Sequence, residues 1–355
     1  MILGIAGCTA LVITGFGIKD SVANIVNFQY DDIHTYDIVV NFDKEIDEEI
    51  RDSIVNANSS DIESAFTIYQ ASLTMKSHNI SKTAILISSA DENITDVIRL
   101  TDKKTGESLT FPDTGNVILT NKLAEITNTS VGDKITISVS DTENADFTVS
   151  AIADNYVNNY IYINPESYKN AFGSYEPKTL FVSTKPETDN FSLAAKIEND
   201  NDIASIQVIE QTRNTIASIM SSLDYVVILV IASAAALAFV VLFNLGNINI
   251  SERVREIATI KVLGFHRNET GGYVLRENFL LTLMGIVVGL PLGIIFHRFV
   301  ISQINVEVLS FKVIIAPLSF LYSAVIVVLF FFITNLILGR KLSAIDMAES
   351  LKSIE

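Results

Sequence analysis

A charged and regularly patterned run occupies 249–265, "NISERVREIATIKVLGF", where Glu252, Arg253, Arg255, Glu256 and Lys261 fall within ten positions. Carboxylates and guanidinium groups at this spacing can pair with one another or with a charged partner surface. Asn249 with Glu252 three residues on has the form of a capping box, and Gly264 before Phe265 is a C-terminal stop. The spacing predicts a helix over 250–263, with Arg253 facing Glu256 and Glu252 facing Arg255 on its polar side. Val254, Ile257 and Ala258 form one apolar line, which Ile260, Leu263 and Phe265 extend. A solvated loop has no use for such a side, so it packs on the bilayer interface, on neighbouring spans or on a cytoplasmic protein.

No catalytic set is visible elsewhere. His34 and His78 are isolated, and the sequence holds no HExxH and no GxSxG. The carboxylates Asp43, Glu45, Asp47, Glu48 and Glu49 lack the spacing and central glycine of a calcium loop and read as a solvated face. There is no GxxxxGK[ST], so the chain has no P-loop of its own. The single Cys8 excludes an intrachain disulfide. The expectation is a non-catalytic chain with no cofactor and no metal.

The elements that position the 249–265 run are apolar. Four stretches, 1–18, 225–246, 279–296 and 313–339, are long enough to cross a hydrocarbon core as helices, the third when it begins near Tyr273. Arg253, Arg255, Lys261 and Arg267 lie between the second and third stretches, and Arg340, Lys341 and Lys352 follow the fourth. The positive-inside rule puts both segments in the cytoplasm and the large block between the first two stretches outside a cell membrane. The start is expected to be a transmembrane helix rather than a secretory signal or a lipoprotein leader: it has no basic n-region, and the apolar run continues about ten residues past Cys8.

That block is acidic. Residues 19–222 hold 32 of the 41 acidic and 15 of the 25 basic residues, a net charge of 15 − 32 = −17. Such a surface repels phosphate backbones, which argues against nucleic acid as a partner. Short β-prone runs at 36–42, 64–75, 82–90, 94–101, 134–140, 146–153 and 178–185 alternate with helical patterns near 47–57, 121–127 and 191–200. This predicts an α+β domain. At its ends Ile18, Val22, Ile25 and Val26 share a helical face, and 210–226 runs into the second stretch without Gly or Pro, so both ends read as stalk helices.

The expected division is therefore a span at 1–18, an extracytoplasmic α+β domain with stalks at 19–222 and a span at 223–246. A cytoplasmic helix and loop at 247–272, a span at 273–297, an outer loop at 298–312, a span at 313–339 and a cytoplasmic tail at 340–355 complete it.

The motifs carry a resemblance. "SERVREIATIKVLGF", then "LRENFLL" and "GIVVGLPLG", is similar to the signature of FtsX-like permeases, the membrane subunits of ABC systems that include the MacB type. The stretch "NVILTNKLAEITNTSVGDKITIS" resembles the MacB-type periplasmic core domain, and the tail "LSAIDMAESLKSIE" resembles the ending of such permeases. The resemblance implies that Glu252, Arg253, Arg255, Glu256, Ile257, Ala258, Lys261, Leu263 and Gly264 form the helix that docks on a cytoplasmic ABC ATPase. Glu277 matches the family's glutamate early in the next span. Gly285, Gly289 and Gly293, at spacing four, let another helix approach closely, with Pro291 bending the span between them.

The implied fold is a four-helix FtsX-like membrane domain with an inserted MacB-like α+β domain. The implied partners are an ATPase, a second permease module, membrane lipid and an extracytoplasmic cargo. The implied role is the permease subunit that couples ATP hydrolysis elsewhere to export or extraction of a lipoprotein, peptide or lipid. The alternative is a signalling or scaffold module that translocates nothing. Because the first apolar run opens at Met1, the resemblance also implies a chain that starts inside its first span, as the C-terminal half of a larger permease or a truncated product would.

Overall fold

The computed structural model describes residues 2–140, 142–198, 203–254, 256, 259–260, 267–304 and 306–343. Its helices are α1 (Ile2–Ala23), α2 (Ile25–Asn27), α3 (Glu48–Ala57), α4 (Asn121–Ile126), α5 (Pro165–Phe172), α6 (Asn190–Ile197), α7 (Ile209–Glu252), α8 (Arg267–Gln303) and α9 (Pro317–Ser343). Its strands are β1 (Ile38–Phe42), β2 (Ile62–Ser77), β3 (Ile80–Ser88), β4 (Leu100–Thr101), β5 (Ser108–Leu109), β6 (Asn116–Thr120), β7 (Lys134–Ser138), β8 (Asn144–Ala153), β9 (Tyr160–Ile163), β10 (Thr179–Thr184) and β11 (Ile203–Val208). Two compact units result, one from Met1–Ala23, Met220–Asn305 and Val313–Glu355, the other from Asn24–Ile219 with Val306–Lys312.

The sheet unit is built around β2, whose 16 residues serve two layers. Its first half pairs with β10 through 62–68, in the order β11-β1-β10-β2. All three pairings in that order are antiparallel, α3 links β1 to β2, and α6 links β10 to β11. This is a split βαβ arrangement, and everything between β2 and β10 is an insertion into it. Asp47 caps α3 by accepting from Ile50 N at 2.9 Å, and Asp189 caps α6 by accepting from Phe191 N at 3.1 Å. Ile54, Leu193 and Ile197 from these helices pack on Ile38, Val40, Leu180 and Val182.

The second half of β2 pairs with β3 through 69–77 and with β7 through 74–76. The latter pairing closes β2-β3-β9-β6-β8-β7 into a ring, a small barrel filled by Leu73, Met75, Leu86, Val117, Leu119, Ile135, Ile137, Val149, Ile161 and Ile163. Neighbouring residues on the same strands, Ile87, Ile118, Tyr160 and Tyr162, point the other way, into a further core shared with Val39, Phe66, Ile68 and Phe181.

Burial on both faces explains two of the strands that the sequence reading lacks. β6 ("NVILT") and β9 ("YIYI") are continuous apolar runs rather than alternating ones, so a two-residue period does not reveal them. Segment 94–101, expected as a strand, is instead a 3-10 turn at Ile94–Asp96 followed by the two-residue β4. Ile94, Val97, Ile98 and Leu100 are buried at near-helical spacing, which an alternating strand would not permit.

Segment 306–312 completes this unit. Asn158 N donates to Val308 O at 2.8 Å, Ser310 N donates to Tyr156 O at 3.0 Å, and Asn121 Nδ2 donates to Ser310 Oγ at 3.0 Å. Lys82 pairs with Glu307, and the Lys312 ammonium lies 4.6 Å from the Phe28 ring centre.

Among the described residues four helices of the helical unit are long and apolar enough to cross a membrane. Over its most apolar window the first is 56% buried and the other three 22–28%, so α1 is the inner helix of the group. The others present apolar side chains outward, among them Leu229, Val287, Leu321 and Leu336, as a lipid-facing surface requires. The helices outrun the apolar stretches: α1 reaches Ala23, and α8 continues through Arg298 to Gln303.

Candidate coupling site

Asn249 does not start a helix. It lies inside α7, which continues to Glu252, and its side chain is buried and donates to Asn278 Oδ1 on α8. The preceding Gly246, where the apolar stretch ends in sequence, is a packing position inside the helix, since a Cβ there would meet Leu338 Cδ1 at 2.5 Å. A buried amide in an apolar helix must find a partner, and the facing asparagine supplies it.

One turn further on, Arg253 caps this contact with an ion pair. Its two terminal nitrogens donate to the two carboxylate oxygens of Glu277, one bond measuring 2.6 Å. The fork geometry fixes direction as well as charge. Where the sequence suggested Glu256 as partner, the described contact is thus to the next span, because Glu277 and Asn278 sit side by side on α8 and meet Arg253, just past the end of α7, and Asn249, four residues earlier. Thr282 Oγ1 closes the cluster by donating to Asn278 O at 2.8 Å.

Of the expected docking residues, Glu252 and Glu256 are exposed and Arg253 is half-buried. Arg255, Ile257, Ala258, Lys261, Leu263 and Gly264 lie outside the described residues.

The three glycines of α8 lie on α1. A Cβ on Gly285 would stand 2.6 Å from Ile5, and one on Gly289 would stand 2.6 Å from Thr9 Cβ and 2.7 Å from Ala6 O. A Cβ on Gly293 would overlap Ile13 and come within 3.0 Å of Ala10 O. The two backbones therefore touch along two turns of helix. Thr14 Oγ1 lies 2.7 Å from Ala10 O and 3.2 Å from Gly293 O, adding a polar contact to the seam.

A second polar cluster ends this seam. Ser21 Oγ is 3.2 Å from His297 Nε2 and also bonds Ile314 N and O. Asp20 accepts from Ala316 N at 2.8 Å and Ser319 Oγ at 2.6 Å, holding the start of α9. Asp20, Ser21, His297, Asn249 and Asn278 were not singled out as interhelical contacts in the sequence. The available signal was a polar residue inside or at the edge of an apolar run.

In the sheet unit, His34 is fully buried and its Nε2 lies 3.1 Å from Tyr162 Oη. Burial pushes its pKa down to about 3, so the ring is neutral and structural. His78 sits in an exposed turn. Among the described residues no group of three His, Cys, Asp or Glu side chains is placed to hold a metal.

Similar chains were found among solved structures. The periplasmic region of MacB from Actinobacillus actinomycetemcomitans is 18% identical with a TM-score of 0.34, covering 52% of this chain and 94% of that one. The extracellular domain of the noncanonic ABC-type transporter YknZ from Gram-positive bacteria is 17% identical with a TM-score of 0.35, covering 49% and 99%. A domain of a permease protein from Porphyromonas gingivalis is 15% identical with a TM-score of 0.29, covering 46% and 82%. No functionally curated protein sequence matches. The FtsX-like permease C-terminal model matches residues 228–347, and the MacB-like periplasmic core domain model matches residues 1–200. With the second model alone taking in more than half of its length, the chain belongs to the MacB-type, FtsX-like family of ABC transporter permeases.

Proposed function

We propose that this chain is the membrane subunit through which a separate cytoplasmic ABC ATPase moves an extracytoplasmic domain. The observation that carries the reading is the Arg253–Glu277 fork, which ties the end of α7 to α8 beside the exposed Glu252 and Glu256. A partner that grips the charged segment 252–264 would pull on two spans at once. The basic residues Arg253, Arg255, Lys261 and Arg267, with Arg340, Lys341 and Lys352, support a cytoplasmic position for that segment and the C-terminus. The acidic sheet unit is then outside the cell membrane. Family membership supports a second permease module in the working assembly, with the outer domain acting on a lipoprotein, peptide or lipid.

The test is co-purification with the ATPase encoded nearest to this gene. Reversing charge at Glu252, Arg255 and Glu256 together is expected to abolish capture while leaving the thermal unfolding midpoint in detergent unchanged. Undiminished capture would remove segment 252–264 as the docking element.

A further inference from the structure

The rim of the barrel holds a cavity whose chemistry runs against that of its domain. It has a volume of about 530 Å³ beside the β2–β3 turn and is lined by polar side chains, with Lys76, His78 and Lys134 supplying positive or protonatable nitrogen and, among the described residues, no carboxylate in the lining. The surrounding block carries 32 acidic and 15 basic residues, so charge of this sign gathered in one concavity is not what composition alone would place there.

Register explains how the groups converge. Lys76 on β2 stands opposite Thr136 on β7, and Lys134 is two residues from Thr136 on the same strand, so both lysines lie on the outer face of the barrel. Diagonal neighbours of this kind are about 7–8 Å apart, and like charges so placed repel. Among the described residues neither lysine makes an ion pair. Asp146 on β8, which stands opposite Thr136, is outside the lining and accepts from Thr136 Oγ1 at 2.7 Å. Ser77 is buried and its Oγ lies 3.1 Å from His78 Nδ1, which orients the imidazole and leaves Nε2 as its free nitrogen. Asn79 and Asn144 add amide donors at the rim.

We infer that this cavity binds an oxyanion of the phosphate class, either free or as a lipid headgroup. Two ammonium groups and a ring of neutral donors match the several acceptor oxygens of such a group, and a bound anion relieves the repulsion between the lysines. Screening over about 8 Å at physiological salt keeps the more distant acidic residues from cancelling the local charge.

The experiment uses the full chain in phosphatidylcholine nanodiscs with no ATPase present, so its result is independent of the docking reading. Inorganic phosphate is titrated against chloride at matched ionic strength and followed by phosphorus NMR line broadening. In parallel, vesicles with and without phosphatidylglycerol are tested for co-flotation. Phosphate or phosphatidylglycerol vesicles are expected to bind, at least tenfold more weakly to the exposed-site variant K76A/K134A. K103A/K104A removes the same charge elsewhere on the domain and is expected to stay within twofold of the parent. The proposal falls if neither probe binds in preference to its control, if K76A/K134A binds like the parent, or if both double variants lose binding equally.

Discussion

Arg253 at the end of α7 and Glu277 on α8 face each other as a two-pronged ion pair, directly above the buried contact between Asn249 and Asn278. The arrangement puts a two-pronged, directional contact at the start of the charged segment, where a force applied to that segment would be felt by both helices.

The pair is only partly shielded, with side chains 30% and 38% exposed, so its coupling energy is expected at about 1 kcal/mol, the upper end for accessible ion pairs. Arg253→Gln and Glu277→Gln should each lower the unfolding midpoint in detergent. A double-mutant cycle should show them non-additive. The swap R253E/E277R should recover part of the loss. Strictly additive effects would mean that the two side chains do not support each other.

The α1–α8 seam makes a sharp contrast between two glycines. At Gly289 a methyl group would collide with Thr9 and the Ala6 backbone, whereas at Gly7 nothing lies within 4 Å. Gly289→Ala is therefore expected to destabilise the helical unit by about 1–3 kcal/mol, the usual cost of overpacking. Gly7→Ala should be neutral or slightly stabilising. Equal unfolding midpoints for the two variants in the same detergent would contradict the close approach of the helices.

His34 imposes a pH dependence on the sheet unit. Its folded pKa of about 3 lies below the ordinary value of 6.5, so between these pH values the unfolded chain binds a proton that the folded chain refuses. Stability from this group is complete above pH 6.5 and falls as pH drops toward 3. Replacing it by glutamine removes the titration, and His34→Gln should lose less stability than the parent between pH 7 and pH 4, although it begins lower. Denaturant unfolding followed by tyrosine fluorescence, in a chain without tryptophan, measures the difference. Parallel pH profiles would show that His34 is accessible to protons in the folded state.

Much of the fold was legible because its signals are local. Long apolar runs specify membrane helices through length alone, and β1, β3, β7, β8 and β10 carry alternation or β-branched density within a few residues of their observed limits. Asp47 and Asp189 are ordinary caps. What escaped depends on neighbours distant in sequence. β6 and β9 are buried on both sides, so their pattern carries no period, and segment 94–101 offers the same apolar density to a turn as to a strand. Asn249 has the form of a cap because Glu252 follows three positions on, but it lies inside α7 and its amide is held by Asn278 on α8, a partner 29 positions away.

The sequence alone determined the apolar helices, the acidic α+β insertion and the charged run at the end of α7, since each rests on composition or spacing within one stretch of chain, and its motifs carried the resemblance to the family. Only the tertiary structure decided that Arg253 pairs with Glu277, that the glycines of α8 lie on α1, that β7 closes a barrel against β2, and that Lys76 and Lys134 share a cavity. Each of these joins residues dozens to hundreds of positions apart. The energy that selects them comes from close packing, strand register and the need to satisfy buried polar groups, none of which a local pattern encodes.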